Sequence, residues 1–294
     1  EHPTFKIDGE DITVSSMINS RELAIAMNLP KKSLHGILVK ESVEFGREII
    51  KKNNEESSIK IGNIYHLGKN TNHNVNLLIN DFAMHTLVTG ATGSGKSTTT
   101  YKLIDELRNK KVKFLVIEPT KGEYKHIFGN EDNVLVYGTN NKHTPLLKIN
   151  PFSFPTEIHI LEHIDRLVEI FNACWPMYAA MPAVLKDAIL NAYEKCGWSL
   201  DDSICEDNIF PTFSDVLISL ENIMERSSYS DNTKSDYKGA LSTRIESLTK
   251  GLVGKIFDED ELTDEELFDE NVIVDISRVG SSETKSLIMG ILLL

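Results

Sequence analysis

The sequence predicts an α/β fold with a mostly parallel sheet, a helical insertion and a smaller β-rich N-terminal region. Three observations carry that expectation. A short apolar run at 85–89 leads into Gly90-Ala91-Thr92-Gly93-Ser94-Gly95-Lys96-Ser97-Thr98. A helical pattern follows over 97–110, with Tyr101, Leu103, Ile104 and Leu107 on one stripe. Residues 113–117 form a continuous apolar run, as expected of a central parallel strand covered on both faces, and 272–277 return to the sheet. Between them, from 156 to about 250, the helical period dominates and strand signals are lacking.

Taken in order, residues 1–84 form the β-rich region and 85–294 the core. Phe5-Lys6-Ile7-Asp8 and Ile12-Thr13-Val14 alternate like half-buried strands. Residues 19–27 read as a short helix with Ser20 as N-cap, ended before Pro30. Gly36-Ile37-Leu38-Val39 reads as a strand and 51–58 as a polar link. A hairpin is expected from 59–67 and 75–79 with 68–72 as its turn. After the glycine-rich stretch, 134–137 is a further strand and 150–155 a rigid, proline-bounded connection. In the insertion, Ile158, Leu161, Ile164, Leu167, Val168 and Phe171 make one apolar face, and 184–193, 213–224 and 237–248 make others. Thr212-Phe213-Ser214-Asp215 starts one of these helices.

The glycine-rich stretch fits G-x-x-x-x-G-K-[ST], with Gly90, Gly95, Lys96 and Ser97 on the fixed positions. Its chemistry follows from the residue types. Glycines let backbone N–H groups turn inward around a β-phosphate, and the positive end of the next helix points at it. Thr92, Gly93, Ser94, Gly95, Lys96, Ser97 and Thr98 are the candidate nucleotide-binding residues. Lys96 would reach the β- and γ-phosphates, and the Ser97 hydroxyl would hold Mg²⁺. The alternative is a chance glycine turn, made rarer by the strand expected before it and the helix expected after it. The expected ligands are therefore ATP and Mg²⁺.

Two acids qualify by position, because ligands of a parallel sheet sit beyond the carboxyl ends of its strands. Glu118 ends the run at 113–117 and is, with Lys96, a candidate catalytic residue; the alternative is a surface acid in a loop. Asp275 ends the later strand but is followed by Ser277, where a second carboxylate would be wanted for activating water. His159 and His163 have metal-ligand spacing, yet H-I-L-E-H is not H-E-x-x-H, so a surface pair on a polar helix face is expected.

Composition excludes several classes. With 294 residues, 40% hydrophobic and 26% charged, the chain is of the ordinary soluble globular kind. No apolar run reaches membrane-span length, so no membrane contact is expected of this segment. Cys174, Cys196 and Cys205 form no C-x-x-C pair and fit a reducing cytoplasm. A net charge of −13 argues against nucleic acid binding all over the surface but not against a local basic channel. Much of the acid lies in 258–270, read as a solvated surface loop or short helix. The start without methionine and the stop inside an apolar helical run read as a segment of a longer protein.

The loop at 85–97, the strand end Ile117-Glu118-Pro119 with Gly122-Glu123-Tyr124, the segment Val274-Asp275-Ile276-Ser277 and the lead-in at 61–68 together resemble the HerA branch of the HerA–FtsK family of ring-forming motor ATPases. The phosphate loop alone is widely shared, whereas Gly-Glu-Tyr after an acidic strand end is more selective. The resemblance implies a RecA-like core, a homo-hexameric ring, and ATP-driven translocation of double-stranded DNA. It also implies a partner nuclease or NAD-consuming effector, in resection or antiphage defence. Other readings are a conjugation or secretion pump, and a nucleotide-binding scaffold that activates an effector. Family members carry Asp where this chain has Glu118, and their water-polarising acid pair and arginine finger come later, so both are expected after Leu294. On that pattern Asp275 is a structural acid, and the segment binds ATP better than it hydrolyses it.

Overall fold

The computed structural model describes residues 4–7, 10–13, 20–21, 27, 35, 57–66, 69–155, 157–257 and 261–294. The chain divides into two compact units, Glu1–Asn53 and Asn54–Leu294. In the first, β1 (Thr4–Ile7) and β2 (Glu10–Thr13) pair antiparallel, Thr4 opposite Thr13 and Ile7 opposite Glu10. The expected helix at 19–27 and strand at 36–39 lie largely or wholly outside the described residues.

The second unit opens with an antiparallel hairpin, β3 (Ser58–His66) and β4 (Lys69–Leu78). The pairing runs tight to the turn, with His66 opposite Lys69, so Asn70, Thr71 and Asn72 stand in the second strand rather than in the expected turn. A short 3-10 turn, Ile79–Ala83, leads to the glycine-rich stretch. The expected strand at 85–89 is not formed: these residues are extended without strand pairing, and Leu87 is 86% exposed. Among the described residues no strand lies along them, and an apolar run without a partner for its backbone groups does not become a strand.

The sheet comprises three parallel strands in the order β5 (Leu115–Glu118), β7 (Val272–Asp275), β6 (Leu135–Gly138). The central strand is thus β7, buried at every residue, and not the run at 113–117 as expected. Its side chains alternate between two cores, as a period of two requires. Val272, Val274 and Ile276 join the large helical core, while Ile273 joins Ile104, Phe128 and Val134 on the opposite face. The smaller core seats α1 (Lys96–Asn109) and α2 (Tyr124–Phe128).

The insertion is helical as expected: α3 (Ile160–Cys174), α4 (Met181–Lys195), α5 (Phe213–Arg226) and α6 (Asp231–Thr249). Each buries one stripe, such as Ile160, Ile164, Leu167 and Phe171 of α3. The start of α5 is fixed by Asp215, whose Oδ2 accepts from the Thr212 N–H at 2.8 Å and its hydroxyl at 2.7 Å. The connection at 150–155 enters the core through Phe152 and Phe154. Two short helices, α7 (Gly251–Gly254) and α8 (Asp264–Phe268), precede β7, and α9 (Ser282–Ile291) follows it. Part of the acidic segment is therefore a capped helix, with Thr263 and Glu266 bonding each other's backbone N–H.

Candidate nucleotide site at the phosphate loop and strand ends

Gly95 sits at the N-cap of α1 with φ of +92°, and Gly93 takes +78°. Both values lie in the left-handed region where a side chain is strained, and no atom stands within 4 Å of where a Cβ would project. Residues 92–95 are exposed, so the loop presents its backbone to an incoming ligand. Lys96, the first residue of α1, turns its ammonium back to donate to the carbonyls of Gly90 at 2.9 Å and Ala91 at 2.8 Å. A Cβ at Gly90 would stand 2.5 Å from the Ser94 Oγ, so a larger residue there would have to push that hydroxyl aside. Ser97 is half-buried on the first turn and Thr98 is exposed. An open, glycine-lined curl, a lysine held by loop carbonyls and a hydroxyl on the first turn fit a Mg²⁺–triphosphate group.

The parallel register places Glu118, Asp275 and Gly138 side by side at the carboxyl ends of the three strands. Glu118 is buried, and both its oxygens are engaged. Oε1 accepts from the Glu123 N–H at 2.8 Å and Oε2 from the Tyr124 N–H at 3.1 Å. It thereby closes the turn that begins α2. Gly122, within that turn, has φ of +67°, and a Cβ there would stand 3.0 Å from the Ser277 Oγ and 3.1 Å from the Asp275 Oδ2. The glycine of Gly-Glu-Tyr is required twice, by backbone conformation and by the closeness of Asp275.

Asp275 is 4% exposed and makes an ion pair with Lys125 of α2 at 2.5 Å. Its other oxygen accepts from the Ser277 N–H at 2.9 Å. Burial pushes this carboxyl up, but the hydrogen bonds from Lys125 and Ser277 outweigh it and hold the group below the usual aspartate range. Lys285 of α9 ties the loops together from the side, donating to Pro119 O at 2.8 Å and Ser277 O at 3.1 Å.

The phosphate-loop helix is connected to these strand ends by Tyr101. Its hydroxyl donates to Glu123 Oε2 at 3.0 Å, and its ring meets Tyr124 edge-on at 4.9 Å. Burial and the Glu123 carboxylate together push the Tyr101 pKa up to about 12, so the phenol stays protonated as donor. The sequence shows Tyr101 only as a member of an apolar stripe, and nothing in it singles out a partner for Tyr101 or for Lys125. Neither partner was readable, because Glu123 and Asp275 lie 22 and 150 residues away.

The histidine pair separates. His159 is the half-buried N-cap of α3, its Nδ1 accepting from the Leu161 N–H. His163 is buried, stacked on Phe154 at 5.0 Å, and its Nε2–H donates to Pro151 O at 3.0 Å. The expectation of a surface pair fails for His163 because the 150–155 connection folds over that helix face. Among the described residues no cluster of three metal-ligating side chains occurs, and no helix is long and apolar enough to cross a membrane.

With this geometry in place, comparison with known families decides the assignment. The family described as helicase HerA, central domain, matches residues 59–293. The chain belongs to this family. It is a HerA-type phosphate-loop ATPase domain, with Lys96, Glu118 and Asp275 inside the matched region. The fold agrees with a solved structure of VirB4 from Thermoanaerobacter pseudethanolicus at a TM-score of 0.55 and 18% identity. That alignment covers 81% of this chain but only 63% of the VirB4 chain, so the HerA-type domain spans less than two thirds of that protein. Comparison with curated protein sequences gives no match.

Proposed function

We propose that the chain is the motor core of a ring-forming DNA translocase of the HerA type, hydrolysing ATP as a homo-hexamer on double-stranded DNA in the cytoplasm. In this reading it serves a partner nuclease or other effector in antiphage defence. The observation that carries it is a phosphate loop of the required shape lying inside a family match over 59–293. The likeness to VirB4 is one of fold and does not favour a secretion pump.

Each residue has a role in this reading. The N–H groups of 92–98 surround the phosphates, and Lys96 exchanges its two loop carbonyls for β- and γ-phosphate oxygens. Ser97 would hold Mg²⁺, which supplies charge neutralisation on the phosphate oxygens when bound. Glu118 acts through the turn it closes, fixing Glu123 and Tyr124 against the loop helix. Asp275 holds Lys125 beside the Gly122 turn.

The test is ATP turnover of the full-length protein with and without duplex DNA, combined with sedimentation in Mg²⁺–ATP. DNA is expected to raise turnover several-fold, Lys96→Ala to lower it by a hundredfold or more, and the wild type to sediment as a hexamer. A strict monomer whose turnover ignores DNA would overturn the translocase. Nucleotide-dependent assembly with no DNA response would instead support the scaffold reading.

A further inference from the structure

A second cleft of about 540 Å³ opens beside the strand ends, between α2, β6 and the segment at 143–145. Lys125, His126, His143 and Arg278 line it, Leu135 and Pro145 give it an apolar wall, and no carboxylate is among its lining residues. In a chain of net charge −13 that arrangement is not what random surface would supply. Arg278, His126 and His143 are exposed. Lys125 gives one of its three N–H donors to Asp275, leaving two for a ligand. A guanidinium matches two phosphate oxygens at once, and the two imidazoles add further donors. The volume is that of a small-molecule site, with an apolar wall for a ring and a cationic end for an anion.

We propose that this cleft binds a phosphomonoester of mononucleotide size, at a site separate from the phosphate loop. Its consequence is regulatory. A phosphate on the remaining Lys125 donors draws the shared ammonium away from Asp275, so occupancy weakens the ion pair beside the Gly122 turn. The cleft thus reports a small anion directly to the strand ends beside the nucleotide.

The site is tested in the full-length protein by following the imidazole NMR signals of His126 and His143 in the Lys96→Ala background, which silences the phosphate loop. The probes are AMP, adenosine and a short DNA duplex. AMP is expected to shift both signals saturably, with adenosine at least tenfold weaker. Arg278→Glu should weaken AMP at least tenfold, while in the otherwise wild-type protein it leaves Mg²⁺–ATP binding at the loop unchanged. Arg278→Gln, a milder change at an exposed position, should give the same direction. No shift with AMP, an equal response to adenosine, or a response to the duplex alone would each overturn the proposal.

Discussion

Replacing Asp275 by Asn keeps the shape of the side chain and removes its charge. The carboxylate is 4% exposed and its partner Lys125 16%, so the pair is largely shielded from water. Removing one member of a fully buried pair costs about 3–5 kcal/mol, mainly because the other charge is left uncompensated. Here the cost is reduced in two ways. The amide oxygen still accepts from the Ser277 N–H, and Lys125 borders the open cleft, where water can reach its ammonium. What remains is a charge-assisted hydrogen bond, so we expect a loss of about 2–3 kcal/mol. In a domain of this size that lowers Tm by roughly 4–12 °C, read by circular dichroism. Lys125→Met should destabilise comparably, and the double variant should lose less than the sum, with a coupling of about 1–3 kcal/mol. The pH sign follows from the folded-state carboxyl lying below its unfolded value. The pair's contribution is present above the ordinary aspartate pKa and is lost as pH falls through the folded one. A Tm within about 1 °C of wild type, with additive single variants, would refute the structural role. Full stability with abolished turnover would mark Asp275 as the reacting carboxylate instead.

Three further outcomes follow from the same geometry. Gly122→Ala places a Cβ in left-handed backbone, 3.0 Å from the Ser277 Oγ, and should cost about 1–3 kcal/mol in thermal unfolding while Gly62→Ala costs less. Burial lowers the His163 pKa to about 4 from 6.5, so the folded state binds fewer protons than the unfolded one. Stability is therefore full above pH 6.5 and falls by about 1.4 kcal/mol per unit toward pH 4, a slope that His163→Gln should abolish in denaturant titrations. Lys121 is 65% exposed and Lys142 is also exposed. Under the translocase reading, replacing each with Ala weakens duplex binding and lowers the salt slope by about 0.9 per contact removed.

What was legible in the sequence was local. The phosphate loop, α1 and the strand ends at Glu118 and Asp275 each depend on a few consecutive residues, and each lies within a residue or two of its expected place. The insertion's helices were legible for the same reason, as apolar stripes at helical spacing. Pairing was not legible. β7 joins β5 across more than 150 positions, and nothing in either apolar run says which is central. The segment at 85–89 shows the converse, since its composition suits a strand but strands exist only with partners. His163 was misplaced because the groups that bury it, Pro151 and Phe154, belong to a connection whose path no periodicity encodes. The role of Gly122 was hidden likewise, since Asp275 and Ser277 reach it through the fold.

The central claim is that the loop at 90–98 is a Mg²⁺–ATP site in which Lys96 supplies the point charge on the phosphates. Calorimetric titration of Mg²⁺–ATP into the wild type and Lys96→Ala tests it most directly, because it needs neither turnover nor a partner. The account predicts saturable one-site binding to the wild type, weakened at least tenfold in Lys96→Ala with thermal stability retained, since the Lys96 ammonium bonds to carbonyls of its own loop. Equal affinity in the two proteins would contradict it.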